Sequence, residues 1–100
     1  GVDLSLMRVE VKYYAMIREA TGRRVETLEV PEGSSVDDLL SLLVGMYKEG
    51  LSNFIYDEEK KFRDYLSFML NGFNVYSLKG MSTALRDGDV FAILPPVGGG

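Results

Sequence analysis

The readable part of the chain opens on a strict alternation. Met7, Val9, Val11 and Tyr13 are apolar, and Arg8, Glu10 and Lys12 between them are charged. A period of two sends the two sets to opposite faces, so residues 7–13 predict a strand with one buried face and Tyr13 in the core. Tyr14 falls on the opposite, wetter face. "AMIREATG" predicts a short helical turn closed by Gly22. Residues 25–30 predict a second strand, with Leu28 and Val30 pointing one way, stopped by Pro31-Glu32-Gly33.

The period then changes to that of a helix. Val36, Leu39, Leu40, Leu43, Val44 and Tyr47 form one apolar stripe. Ser35 is a natural N-cap, Asp37 and Asp38 suit the positive end of the helix dipole, and Gly50 stands where a C-terminal cap belongs. Residues 51–64 read as a loop with a short helical piece, anchored by Phe54, Ile55 and Phe62 around a charged centre. Residues 66–70 predict a strand, Asn71-Gly72 a tight hairpin, and residues 73–76 the returning strand. "SLKGMSTAL" is a connection and Asp87-Gly88-Asp89 a second turn. The unbroken apolar run 90–94 suits a central strand buried on both faces. Pro95 ends it, because proline has no N–H for the ladder.

An early hairpin, one main helix and a late hairpin with a final central strand predict a two-layer α+β domain, a mixed sheet packed on one main helix. A ferredoxin-like arrangement would need a second long helix, and "SLKGMSTAL" is too short and glycine-broken to supply it. The expected organisation is one domain over residues 7–94 and an extended tail, "PPVGGG", over residues 95–100. Residues 1–6 are expected to be a tag remnant or a disordered start.

Composition narrows the chemistry. A net charge of −4 argues against nucleic acid, which rewards a basic face. Arg23 and Arg24, and Lys60, Lys61 and Arg63, are interleaved with acids and read as solvated surface. Arg18 and Glu19 could position a partner, with a surface ion pair as the default reading, and Asp87 and Asp89 read as turn residues. There is no cysteine and no histidine, which removes thiol nucleophiles, thiolate metal sites, the usual general base and any serine–histidine triad. No metal site and no phosphate-binding glycine loop are expected. No apolar run approaches the roughly 20 residues of a membrane span, and no signal-peptide pattern opens the chain, so a cytoplasmic protein is expected.

Three stretches carry a resemblance. "VKYYAMIREATG" (11–22), "LNG" (70–72) and "LRDGDVFAILPPVGGG" (85–100) follow one another as in the ubiquitin-like β-grasp fold. Within that fold the chain is similar to the family of molybdopterin synthase small subunits, which are sulfur carriers. The match runs from Met7 to Gly100, with Gly98 as spacer and Gly99 and Gly100 as the terminal pair. Residues 51–64 and 77–85 are longer and more charged than the family pattern and read as insertions.

The resemblance implies a cycle run on the tail. An E1-like adenylating enzyme would use ATP to activate the carboxylate of Gly100, and sulfur delivered there would leave a thiocarboxylate. The large subunit of molybdopterin synthase would receive the tail and pass sulfur to a pterin precursor. The chain would bind no cofactor and would not be an enzyme alone. The tail suits this work. Gly98, Gly99 and Gly100 have no side chains to obstruct a narrow tunnel, and Pro95 and Pro96 hold the chain extended ahead of Val97. The family also implies contacts through an apolar sheet surface beside the tail, for which Tyr14, Phe73 and Leu94 are the candidate positions. Two other readings share the sequence features. One is a related carrier or modifier serving thiamine synthesis, tRNA thiolation or lysine conjugation. The other is an interaction module with incidental glycines.

Overall fold

The computed structural model describes residues 5–95. The expected tail positions Pro96, Val97, Gly98, Gly99 and Gly100 lie outside the described residues, as do residues 1–4. The elements are β1 (Leu6–Tyr13), α1 (Ala15–Thr21), β2 (Val25–Pro31), α2 (Val36–Tyr47), α3 (Glu49–Ile55), β3 (Ser67–Leu70), β4 (Phe73–Asn74) and β5 (Val90–Leu94). They form a five-stranded sheet in the order β2-β1-β5-β3-β4. All neighbours run antiparallel except β1 and β5, which run parallel. This is the α+β layout that the periodicities predict, with β5 in the middle of the sheet.

One face of the sheet makes the core. Val9, Val11 and Tyr13 from β1, Phe68 from β3, and Phe91 and Ile93 from β5 bury against Leu39, Leu40 and Leu43 of α2. Helix α2 starts as expected. Ser35 Oγ accepts the Asp38 N–H at 3.2 Å, and the Asp38 carboxylate accepts the Ser35 N–H at 2.8 Å. This reciprocal cap fixes the helix start and satisfies two otherwise orphaned donors. Helix α1 closes on Gly22 at φ 74, also as expected.

Four local expectations are corrected. Gly50 does not cap α2. Lys48 takes the positive φ (54°), its N–H reaching Val44 O at 2.7 Å and its carbonyl accepting the first bonds of α3, so Gly50 lies inside α3. Residues 51–64 are the expected loop with a short helical piece: they complete α3 and then turn back through a bridge between Tyr56 and Phe62, whose rings stack at 5.3 Å. The turn between them is held by the Asp57 carboxylate, which accepts the N–H groups of Glu59 and Lys61. The strand after Asn71-Gly72 is two residues long, because the Asn74 side chain accepts the Tyr76 N–H and starts a 3-10 turn over Val75–Ser77. Strand β1 begins at Leu6, within the segment expected to be a remnant or disordered, and Ser5 O accepts the Glu32 N–H at 3.0 Å. Strand β5 is buried on one face only. Phe91 and Ile93 are closed off, while Val90, Ala92 and Leu94 stay partly exposed.

Candidate partner-docking site at the root of the tail

Parallel pairing brings the ends of β1 and β5 side by side. Lys12 lies opposite Ala92 and Tyr13 opposite Ile93, so Tyr14 leaves β1 where Leu94 and Pro95 leave β5. Directly paired residues share a face. The open face therefore carries Lys12, Ala92 and Met69 in one row, with Asn74 beyond, and Leu94 pairs with Ser67 one step on. A depression of about 250 Å³ lies there, lined by Lys12, Tyr14, Met69, Gly72, Val90, Ala92 and Leu94.

Of the three candidate sheet positions, Tyr14 and Leu94 meet in this depression. Phe73 does not line it. Its partner is Leu70, itself paired with the buried Phe91, so Phe73 belongs to the helix-side face and leans out at the sheet edge, 62% exposed. Besides the turn residue Gly72, four lining strand residues were missed in the sequence: Lys12, Met69, Val90 and Ala92. Their signal was parity, since each is an even step from Tyr14 or Leu94, or a register partner of one that is. Reading 90–94 as buried on both faces concealed it.

The backbone around the depression is pinned from two sides. Asp89 is buried and accepts the Arg86 N–H at 2.7 Å and the Asn71 amide at 2.9 Å, and Asn71 Oδ1 accepts the Val90 N–H at 2.9 Å. The two turns flagged as separate signals thus hold each other. Asp87 accepts the Arg8 N–H at 2.8 Å. Behind β1, Glu26 points inward from β2. Its Oε2 accepts the hydroxyls of Tyr13 and Tyr47, each at 2.6 Å. Burial, then the bond to Glu26, pushes the Tyr13 hydroxyl pKa well up, and the same causes raise that of Tyr47. Burial, then the Asp37 charge, raises Tyr56 in the distant hairpin.

The expected ion pair of Arg18 with Glu19 does not form; among the described residues the ion pairs are Arg23–Glu26 at 3.9 Å and Lys61–Glu59 at 3.5 Å. No group of three metal-ligating side chains comes together among the described residues. No described helix is long and apolar enough to cross a membrane.

Comparison with known proteins places this geometry. A family model described as the ThiS family matches residues 11–100. The chain is 35% identical over 94 residues to small archaeal modifier protein 3 of Haloferax volcanii, covering 94% of this chain and all of that protein. It is 32% identical over 94 residues to the molybdopterin synthase sulfur carrier subunit of Chlamydomonas reinhardtii, again covering 94% of this chain and the whole of the other. The crystal structure of SAMP1 from Haloferax volcanii superposes with a TM-score of 0.80 at 28% identity, over 93% of this chain and 99% of that one. The five-stranded sheet wrapped on α2 is a ubiquitin-like β-grasp, and the chain belongs to the ThiS family of ubiquitin-like sulfur carriers.

Proposed function

We propose that this chain carries sulfur as a thiocarboxylate on Gly100 and donates it to a pterin precursor, as the small subunit of a molybdopterin synthase. The observation that carries the reading is the tail root. The central strand ends at Leu94 beside an apolar depression, and "PPVGGG" follows immediately. A partner that grips the depression would find the tail aimed into it, and the two prolines limit the entropy lost on docking.

The chemistry balances as follows. An E1-like enzyme binds ATP, and a carboxylate oxygen of Gly100 attacks the α-phosphorus, releasing pyrophosphate and forming an acyl-adenylate. Sulfide attacks the acyl carbon and expels AMP, leaving a thiocarboxylate. In the large synthase subunit that sulfur attacks a carbon of the pterin precursor and displaces an oxygen leaving group, two carriers being used for each dithiolene. Water then cleaves the acyl–sulfur bond and restores the carboxylate. This chain contributes the docking surface and the tail. Base, phosphate site and pocket come from its partners, which accords with a sequence lacking histidine and cysteine.

A second reading has a specific support: a 35% identical relative is named a protein modifier. There the same adenylate would yield an amide to a lysine. Intact-mass analysis after incubation with an activating enzyme, ATP and a sulfur donor tests the shared step, with the exchange of one oxygen for sulfur at Gly100 expected. Adding pterin precursor and large subunit to the product separates the readings. Return of the carrier to its starting mass with formation of a dithiolene supports the synthase. Glycyl remnants on lysines with no pterin product would replace it with the modifier. Deleting Gly100 is expected to leave the fold intact and abolish transfer; transfer that survives the deletion would sink both.

A further inference from the structure

The connection between the late hairpin and β5 takes no part in the carrier chemistry. It folds as two 3-10 turns, Val75–Ser77 and Gly80–Ser82. Thr83 ties it together, its Oγ1 accepting the Lys79 N–H at 3.0 Å and donating to the Gly80 carbonyl at 2.7 Å. The Val36 N–H reaches the Thr83 carbonyl and the Leu85 N–H the Ser34 carbonyl, each at 2.9 Å, so the segment is fastened to the start of α2. This is the helix side of the sheet at the N-terminal end of β5, whereas the tail leaves from the C-terminal end. A groove of about 490 Å³ opens there, lined by Leu78, Lys79, Ser82, Thr83, Ala84 and Arg86.

The lining holds two cations and no carboxylate, in a chain whose net charge is −4. Lys79 and Arg86 belong to neither ion pair formed among the described residues. The acids nearby are engaged in their own turns: Asp38 caps α2 at Ser35, Asp87 accepts the Arg8 N–H, and Asp89 accepts the Arg86 N–H and the Asn71 amide. Beside the cations stands apolar surface. Leu78 is 44% exposed and Tyr76 60% exposed. The Tyr76 ring lies over Gly80, where an added Cβ would meet it at 3.6 Å. The hydroxyls of the lining are already spent on backbone carbonyls, Ser82 on Lys79 at 2.7 Å and Thr83 on Gly80, so they form no cradle for a phosphate.

We propose that this groove docks an acidic segment of a partner protein, one with an apolar side chain set among its carboxylates. The apolar side chain would cover Leu78 and Tyr76, and the carboxylates would meet Lys79 and Arg86, which steer the approach and fix its register. A small anion would satisfy the cations and leave the apolar surface bare. No tail residue takes part, so the inference stands apart from the carrier reading, and a partner held here would leave the tail root open.

The probe is an acetylated and amidated octapeptide in which a leucine and a phenylalanine stand between two runs of three glutamates. It is titrated into the nitrogen-15-labelled full chain, and amide shifts are followed. Saturating shifts confined to residues 76–86 are expected. The double variant Lys79→Gln, Arg86→Gln is expected to raise Kd about fivefold or more, and Leu78→Ser to do the same, with thermal unfolding as the fold control. Replacing the leucine and phenylalanine of the peptide by serines should weaken it by a similar factor. A Kd within about twofold of wild type in either folded variant overturns the inference, as do an absence of saturating shifts at millimolar peptide and shifts centred on the depression at the tail root. Equal binding of the serine peptide, or its replacement by inorganic pyrophosphate with the same shifts, would make the groove a charge or anion site. Shifts of residues 76–86 with protein concentration alone would give it to a second copy of this chain.

Discussion

The two faces of β5 are equally apolar and meet opposite fates. Phe91 and Ile93 are fully buried in the core shared with α2, and the Phe91 ring stacks on Phe68 at 6.1 Å. Val90, Ala92 and Leu94 look out on a depression that no described element covers. The first face is closed by the fold and the second is left for something else. Contiguous exposed apolar surface on a small domain marks an interaction site more often than an accident. Here it sits where the tail departs, so stability and function divide along one strand, residue by residue.

The largest expected effect breaks or confirms that division directly. Phe91→Ala should cost about 3–5 kcal/mol in urea unfolding, because it empties a fully enclosed site that neighbours cannot refill. Leu94→Ala, on the same strand, should cost about 1 kcal/mol or less and instead weaken binding to the activating enzyme. Equal losses of stability would mean the open face is part of the folding core, and the depression would lose its meaning as a docking surface.

The closed face was the more legible one. Alternation in β1 and the 3.6-residue stripe of α2 are local signals, and each survives into the fold because one side of the element meets water. Asn71-Gly72 was readable for the same reason: positive φ at both positions (51° and 85°) is what a tight hairpin turn demands. The open face was misread because apolar residues at both parities look identical whether a second layer covers them or a partner does. Lys48 was invisible as a helix end because an ordinary residue took the backbone conformation that glycine advertises. Within residues 51–64 the short helical piece was legible, but the stacked pair Tyr56 and Phe62 was not, since a run of acids and lysines separates them. Glu26 was within reach of parity, two steps from Leu28 and four from Val30. What parity lacks is the reason a glutamate tolerates that position. Its donors Tyr13 and Tyr47 lie 13 and 21 residues away, and no local rule joins them.

Glutamates on the two faces sharpen the comparison. Glu26 is held on the closed face by two short bonds, whereas Glu10 stands on the outer face of β1 with no side-chain bond among the described residues. Glu26→Ala strands the hydroxyls of buried Tyr13 and partly buried Tyr47 and is expected to cost about 2 kcal/mol or more by urea unfolding. Glu10→Ala should change stability by about 0.5 kcal/mol or less. If the two cost the same, the inward network is not what fastens β2 and the end of α2 to β1.

A modest effect at neutral pH becomes the clearest in base. Tyr13→Phe removes one hydroxyl of the network and should cost about 1 kcal/mol near neutrality. Burial, followed by the bond to Glu26, raises the folded-state pKa of Tyr13 above the ordinary tyrosine value. The unfolded chain releases that proton first, at about pH 10. Folded Tyr13 keeps its proton, so its contribution is complete below about pH 10 and is lost as the pH rises beyond it. Each hydroxyl held in this way removes about 1.4 kcal/mol of stability per pH unit above that point. Tyr47 and Tyr56 are raised as well, so Tyr13→Phe should flatten the alkaline fall without abolishing it. The measurement is the urea midpoint of both proteins between about pH 8 and pH 11. The curves should converge as the pH rises, because the variant has no Tyr13 hydroxyl whose contribution base could remove. Curves that stay parallel would show that Tyr13 is not held in its neutral form by the fold, and the closed face would lose its polar lock.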